Sequence, residues 1–301
     1  MNFENILAND KVKEFLNNSI ENNKVLHSYL FLGTEGIGKK EIAKEFARKI
    51  LCLNDHSDKC KCKACLCFEN DNHPDFKLVN EQGETIKINQ IREITNKIYE
   101  KPIISSKKVY IINDCEKMTE EAQNCLLKTL EEPPEYVCII LISSNENFIL
   151  TTIKSRCMKI SFKNISDEEL KNYLLKNNYY DTITNSLLKL FNGSIGMALK
   201  MRENQDLYNK VESIIKNIEN QDLIDTLLNY KDTYDKENIF NILEYMSVCF
   251  FEMAKEDKKY IKCISKVNNT VERLKSNGNF DMTLDNLFIG LWEEINQWKK
   301  L

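Results

Sequence analysis

The chain has 301 residues, 42% hydrophobic and 29% charged, with only 8 Gly and 4 Pro, which excludes collagen-like and low-complexity classes. A formal net charge of −4, from 42 basic and 46 acidic residues, argues against a protein that grips nucleic acid by bulk electrostatics. No stretch approaches the ~18 apolar residues of a bilayer span, and the N-terminus lacks a basic segment followed by an apolar one, so a cytoplasmic protein with no membrane contact is expected. In that compartment the 11 cysteines point to metal or catalysis rather than disulfides, and five of them fall between Cys52 and Cys67.

The first 162 residues alternate between two periods. Ser28 to Leu32 is a short apolar run that reads as a buried strand, and Ile42, Ala43, Phe46, Ala47 and Ile50 then recur at helical spacing. After the cysteines, Phe76 to Val79 is strand-like, and Ile88, Ile91, Ile94 and Ile98 form a helical stripe. Lys108 to Ile112 is another strand. Ala122, Cys125, Leu126 and Leu130 mark a helix ending at Pro133-Pro134, and Val137 to Ile142 and Met158 to Phe162 are two further apolar runs. Short apolar strands separated by amphipathic helices predict an α/β domain with a parallel sheet covered on both faces.

From about residue 163 the strand signal stops. Ser166-Asp167-Glu168-Glu169 is a capping box, with Ile165 and Leu170 placed as a hydrophobic staple. Three domains are expected: an α/β domain over 1–162 with a metal module at 52–67, a small helical domain over 163–205, and an all-α domain over 206–301.

Gly33-Thr34-Glu35-Gly36-Ile37-Gly38-Lys39-Lys40 follows a strand and opens a helix, the setting a phosphate-binding loop requires. Gly33, Gly38 and Lys39 meet the G-x-x-x-x-G-K spacing. Lys40, however, stands where a Ser or Thr hydroxyl would bind Mg²⁺, and an ammonium repels a divalent cation. The strand ending at Ile112 runs into Asn113-Asp114-Cys115-Glu116, so Cys115 sits where ATPases place a water-orienting Glu. Glu116 does not substitute simply, because a shift of one residue along an extended strand turns a side chain to the other face.

Cys52, Cys60, Cys62, Cys65 and Cys67 offer five thiols for a tetrahedral site that takes four. The C-x-x-C pair Cys62 and Cys65 fits one corner of a structural Zn²⁺ site, with Cys52 and Cys60 supplying the rest. A closed all-thiolate site is structural, since no position is left for water. Two other readings are a redox C-x-x-C, which requires a strand–helix junction that this polar insertion lacks, and a set of metal-free thiols.

Several segments together resemble one family. They are Leu26 to Gly33, the cysteine cluster followed by His73-Pro74-Asp75, Asn124 to Pro134, Ser155-Arg156-Cys157, and Gly193-Ser194-Ile195-Gly196. The chain is similar over residues ~1–200 to AAA+ clamp-loader subunits of bacterial DNA polymerase III, and its altered nucleotide motifs resemble the non-hydrolysing members more than the ATP-hydrolysing gamma/tau subunits. The resemblance implies that Arg156, flanked by Ser155 and Cys157, acts as an arginine finger on ATP bound by a neighbouring subunit. It also implies gamma/tau, delta and the sliding clamp as partners, primer-template DNA reached through the assembled complex, and an oligomerising collar over 206–301. Met197 stands where active members often carry a nucleotide-sensing arginine. The family spaces its last three cysteines C-x-x-C-x-x-C, which puts the first at Lys59 rather than Cys60 and leaves Cys67 or His56 as substitutes. The competing readings are an active gamma/tau-like ATPase and a zinc-dependent nucleic-acid-binding protein.

Overall fold

Strand β1 (Ser28–Leu32) is wholly buried, and its side chains divide by alternation between two cores. Tyr29 and Phe31 face one side of the sheet, and Leu30 and Leu32 face the other. The computed structural model describes residues 6–54, 56–57, 60–79, 85–220, 222–225, 227, 236 and 238–296. They cluster into two compact units, residues 1–165 with 194–196 and residues 166–193 with 197–301.

The first unit runs α1 (Asp10–Glu21), β1, α2 (Lys39–Leu51), α3 (Lys63–Glu69), β2 (Phe76–Val79), α4 (Ile88–Ile98), β3 (Lys108–Ile112), α5 (Glu120–Glu131), β4 (Val137–Ser143), α6 (Thr151–Lys154) and β5 (Met158–Ser161). The strands form one five-stranded parallel sheet in the order β2-β3-β4-β1-β5. This is the parallel α/β sheet expected from the apolar runs. The expectation of fully apolar strands holds for β1, β3 and β4, which are buried throughout. It fails for the edge strands: β5 exposes Met158, Lys159 and Ser161 and buries only Ile160, because one side of an edge strand has no neighbour to cover it.

On one face α1 and α2 pack Leu16, Ile20, Ile42, Ala43, Phe46 and Ile50 against Tyr29, Phe31, Ile111 and Ile140. On the other, α4 and α5 pack Ile91, Ile94, Ile98, Ala122, Leu126 and Leu130 against Leu30, Tyr110, Ile112, Ile139 and Leu141. Phe46 is fully buried and meets the Tyr29 ring edge-on, with centroids 5.3 Å apart, so it seats α2 on the sheet.

The second unit is helical among its described residues. It contains α7 (Asp167–Lys176), α8 (Asn185–Phe191), α9 (Ile195–Arg202, whose first two residues belong to the first unit), α10 (Gln205–Asn217), α11 (Ile239–Ala254), α12 (Tyr260–Lys275) and α13 (Phe280–Asn296). The capping box forms as the sequence indicates: the Glu169 N–H donates to Ser166 Oγ at 3.3 Å and the Ser166 N–H donates to Glu169 Oε2 at 3.3 Å. Ile165 and Leu170 are both buried. Among the described residues no helix is long and apolar enough to cross a membrane.

Truncating a fully buried aromatic ring removes its transfer energy and leaves a cavity. Phe46→Ala is therefore expected to cost about 3–5 kcal/mol, read as a lowered urea midpoint followed by circular dichroism.

Candidate functional site

The loop between β1 and α2 has the backbone of a phosphate cradle. Gly38 caps α2 at φ 94°, in the left-handed region that a side chain enters only with strain. The Lys39 ammonium is buried and donates to the carbonyls of Gly33 at 2.5 Å and Thr34 at 2.7 Å, so it spans the loop it belongs to. Burial pulls its pKa below the ordinary lysine value, against the opposing charges of Glu116, Asp114 and Glu35. Gly36 lies against residues 194–196: the Gly196 N–H donates to Gly36 O at 2.9 Å, and a Cβ on Gly36 would come within 2.3 Å of Ser194 Oγ. Residues 194–196 thus pack on Gly36 of this loop, a contact their sequence alone does not announce.

Across from this loop, β3 ends at Ile112, and after Asn113 the chain turns through Asp114 at φ 48°. Cys115 points into the core, where burial raises its thiol pKa well above the usual value. Glu116 is turned to Ser144: one carboxylate oxygen accepts the Ser144 N–H at 2.9 Å and the Ser144 hydroxyl. Burial works to raise the Glu116 carboxyl, but the Ser144 donors prevail and hold it below the ordinary carboxylate range. Its second oxygen is buried with no hydrogen-bond partner.

Arg156 precedes β5 and lies beside the end of β1 opposite the loop. β5 pairs with β1 in the register Tyr29↔Met158, and the Ser28 hydroxyl donates to Arg156 O at 2.7 Å. The Arg156 backbone is therefore level with His27, six residues before Gly33, a separation of about 20 Å along β1. Arg156 Nη2 meets Glu131 Oε1 at 2.5 Å, and Nη1 donates to Thr152 O at 2.8 Å and to Ser155 Oγ at 3.4 Å. Both charged side chains are partly exposed, so this pair orients the guanidinium more than it stabilises the fold. Cys157 is buried, which pushes its thiol up to about 11 and makes it a packing residue. Gln123 ties the preceding loop to α5, donating to Phe148 O at 2.9 Å while accepting the Leu150 N–H at 2.9 Å. Glu131, Ser144 and Gln123 were not singled out from sequence as site residues.

The structure brings Cys52, Cys60, Cys62 and Cys65 together, with their sulfur atoms all within 4.8 Å of one another. Cys67 is outside that group, and His56 Nδ1 is engaged with Lys49 O at 2.7 Å. The four residues fit a tetrathiolate site for a thiophilic metal ion: soft sulfur donors in a closed set leave no position open for water. Burial opposes ionisation of Cys62, but the N–H groups of Leu53 and Cys65 and the neighbouring thiols lower its pKa to about 6. Burial, followed by the neighbouring thiols Cys62 and Cys52, raises Cys65.

A buried polar network borders the cluster. The Asp75 carboxylate accepts the N–H groups of Ile103, Ile104 and Ser105 at 2.7, 2.7 and 2.9 Å. The Ser105 hydroxyl lies 3.2 Å from His73 Nε2 and donates to Leu51 O at 2.6 Å. Ser105 therefore fastens the C-terminal end of α2 to the segment entering β3, and His73 and Asp75 hold that segment in place.

A family model described as "DNA polymerase III, delta subunit" matches residues 8–166. The chain belongs to this family of DNA polymerase III clamp-loader subunits. The DNA polymerase III subunit delta' of Bacillus subtilis is 32% identical over 207 residues, covering 68% of this chain and 63% of that one. The gamma/tau subunit of Mycoplasma genitalium is 30% identical over 299 residues, covering 96% of this chain and 46% of that one, so the chain spans less than two thirds of the length of either relative. A DNA polymerase III gamma subunit-related protein of Thermotoga maritima shares the fold, with a TM-score of 0.50 at 20% identity over 93% of this chain and 99% of that one.

The three backbone donors outweigh burial and hold the Asp75 carboxyl below the ordinary carboxylate range. Its folded pKa lies below its unfolded value of about 3.9, so the stabilisation is fully present above that value and is lost as pH falls through the folded pKa. Asp75→Asn is expected to cost about 2 kcal/mol at pH 7, with the gap to wild type narrowing in acid, read from urea melts between neutral and acid pH.

Proposed function

We propose that this chain is a non-hydrolysing, delta'-type subunit of the DNA polymerase III clamp loader, supplying Arg156 in trans to ATP bound by a neighbouring gamma/tau-type subunit. The observation that carries this reading is the placement of Arg156 and the phosphate loop at opposite ends of β1, which keeps the guanidinium from the chain's own loop. A guanidinium brought to a transferring phosphoryl group stabilises the charge spread over its oxygens, an effect worth about 10³–10⁵ in rate. The Glu131 and Thr152 contacts hold the Arg156 side chain in place, so less of its rotamer freedom is left to lose at the moment of contact.

The same reading accounts for the chain's own nucleotide loop. Gly33, Gly38 and Lys39 form a vestigial cradle, while Lys40 and Cys115 remove the Mg²⁺-binding hydroxyl and the carboxylate that would orient water. Glu116 is held by Ser144 instead of replacing that carboxylate. In the assembled loader, residues 163–205 would act as a lid-type domain and 206–301 as part of the collar. The other partners would be delta and the sliding clamp, with primer-template DNA met through the complex. Cys52, Cys60, Cys62 and Cys65 would hold Zn²⁺, which when bound cross-links the loop after α2 and leaves no open position for chemistry.

The similarity to gamma/tau subunits favours a second reading, an active AAA+ ATPase. The isolated chain would then hydrolyse Mg-ATP and lose that activity on Lys39→Ala. Under the proposed reading the isolated chain shows no turnover above background. Reconstituted with gamma/tau, delta and the sliding clamp, wild type is expected to support DNA-stimulated hydrolysis and clamp loading, and Arg156→Ala to lose the share of turnover contributed by the neighbouring site. If Arg156→Ala leaves both rates unchanged, the trans role is wrong.

Metal analysis of protein purified without chelator should find close to one equivalent of zinc. Cys65→Ser is expected to lower it, and Cys67→Ser to leave it unchanged.

A further inference from the structure

Helix α2 buries an ion pair that neither the phosphate loop nor the sheet requires. Arg48 and Glu45 are 2% and 1% exposed, and Arg48 donates through Nε and Nη2 to the Glu45 carboxylate at 2.6–3.1 Å. Removing two charges from water is costly, and a pair of apolar side chains would serve a helix–sheet interface as well or better. The rest of the guanidinium explains its presence. Nη1 points at Cys65 Sγ, 3.4 Å away, and Nη2 donates to Ser57 O at 3.3 Å. The same Ser57 carbonyl accepts the Cys60 N–H at 3.2 Å. One side chain thus touches one sulfur of the cluster directly and fixes the backbone that presents another, Cys60, whose spacing departs from the family pattern.

We propose that Arg48, held in place by Glu45, is a positioning residue for the tetrathiolate metal site: it donates an N–H to one sulfur and sets the orientation of Cys65 and Cys60. Four thiolates around a divalent cation carry a net charge of −2, and this site is closed off from water on the α2 side. Glu45 cancels the Arg48 charge overall, so the effect is local: the N–H donated to sulfur withdraws electron density from the thiolate it touches. Glu45 keeps the planar fork aimed, so that one edge serves the carboxylate and the other the sulfur and the Ser57 carbonyl. The inference rests on the metal reading given above, and it assigns to α2 a second task at the end opposite its phosphate loop.

The test uses the full chain, freed of metal and titrated with Zn²⁺ against a chromophoric chelator, and separately loaded with Co²⁺. Arg48→Met combined with Glu45→Gln removes both charges together, so that neither is left buried and unpaired. That double variant is expected to bind Zn²⁺ about 10- to 100-fold more weakly than wild type and to shift the sulfur-to-cobalt charge-transfer band. Arg48→Lys keeps the charge but cannot span Glu45 and Cys65 at once, and is expected to fall between the two. Wild-type affinity and an unshifted band in the double variant would overturn the inference while leaving the metal site standing. Weaker binding with an unshifted band would also overturn it, making Arg48 a packing residue. If the double variant does not fold, Arg48→Lys decides, and wild-type affinity there overturns the inference. A wild-type chain that takes up no Zn²⁺ would remove the metal reading itself.

Discussion

Strand β1 pairs in parallel with β4 on one side and β5 on the other, and it hydrogen-bonds its way through both cores of the first unit. A one-residue slip in this pairing would exchange Tyr29 and Phe31 with Leu30 and Leu32 between faces that are packed to different shapes, so the register has little freedom. That register delivers Gly33 to one end of the sheet and sets Arg156 at the other. The separation of the two candidate nucleotide-handling groups is therefore a property of strand pairing and not of loop conformation.

Helix α2 carries the second constraint. Its N-terminus receives the phosphate loop, and its C-terminus ends at Leu51 and Cys52, between the Ser105 contact and the four sulfurs. Thirteen residues of α-helix span about 20 Å. With Phe46 seated on Tyr29 midway, the glycine-rich loop and the cysteine cluster are held at a fixed distance by one rigid element. Ser105 then binds that element's far end to the entrance of β3, and His73 and Asp75 hold that segment in place. The cysteine cluster, the most conspicuous feature of the composition, is thus structurally continuous with the nucleotide fold and not an appendage to it.

Much of this was legible in the sequence. Strands buried on both faces leave continuous apolar runs, and β1, β3 and β4 begin where those runs begin. The phosphate loop, the capping box at Ser166 and the C-x-x-C pair are local patterns whose meaning survives without tertiary context. What the sequence could not disclose were pairings made by packing. Glu116 meets Ser144 across 28 residues, Arg156 meets Glu131 across 25, and Arg48 meets Cys65 across 17. In each case the partner is distant in sequence and carries no local pattern, so only the fold discloses the contact. Helix α1 was missed because its buried face is only Leu16, Ser19 and Ile20, too few for a convincing period. The choice among Cys60, Cys67 and His56 likewise depended on how the loop doubles back, and Cys60 is the one brought to the other three sulfurs.

On the proposed reading, a donor arginine at one end of β1 and a nucleotide cradle at the other would make the chain directional. Subunits built this way associate head to tail through two different surfaces, unlike a twofold dimer that repeats one surface. A member whose cradle is impaired while its arginine is intact can complete the site of the neighbour on one side but has no working site to offer the neighbour on the other. On that reading it would mark an end in an arc of such subunits, and so give the assembly a first position and a last one.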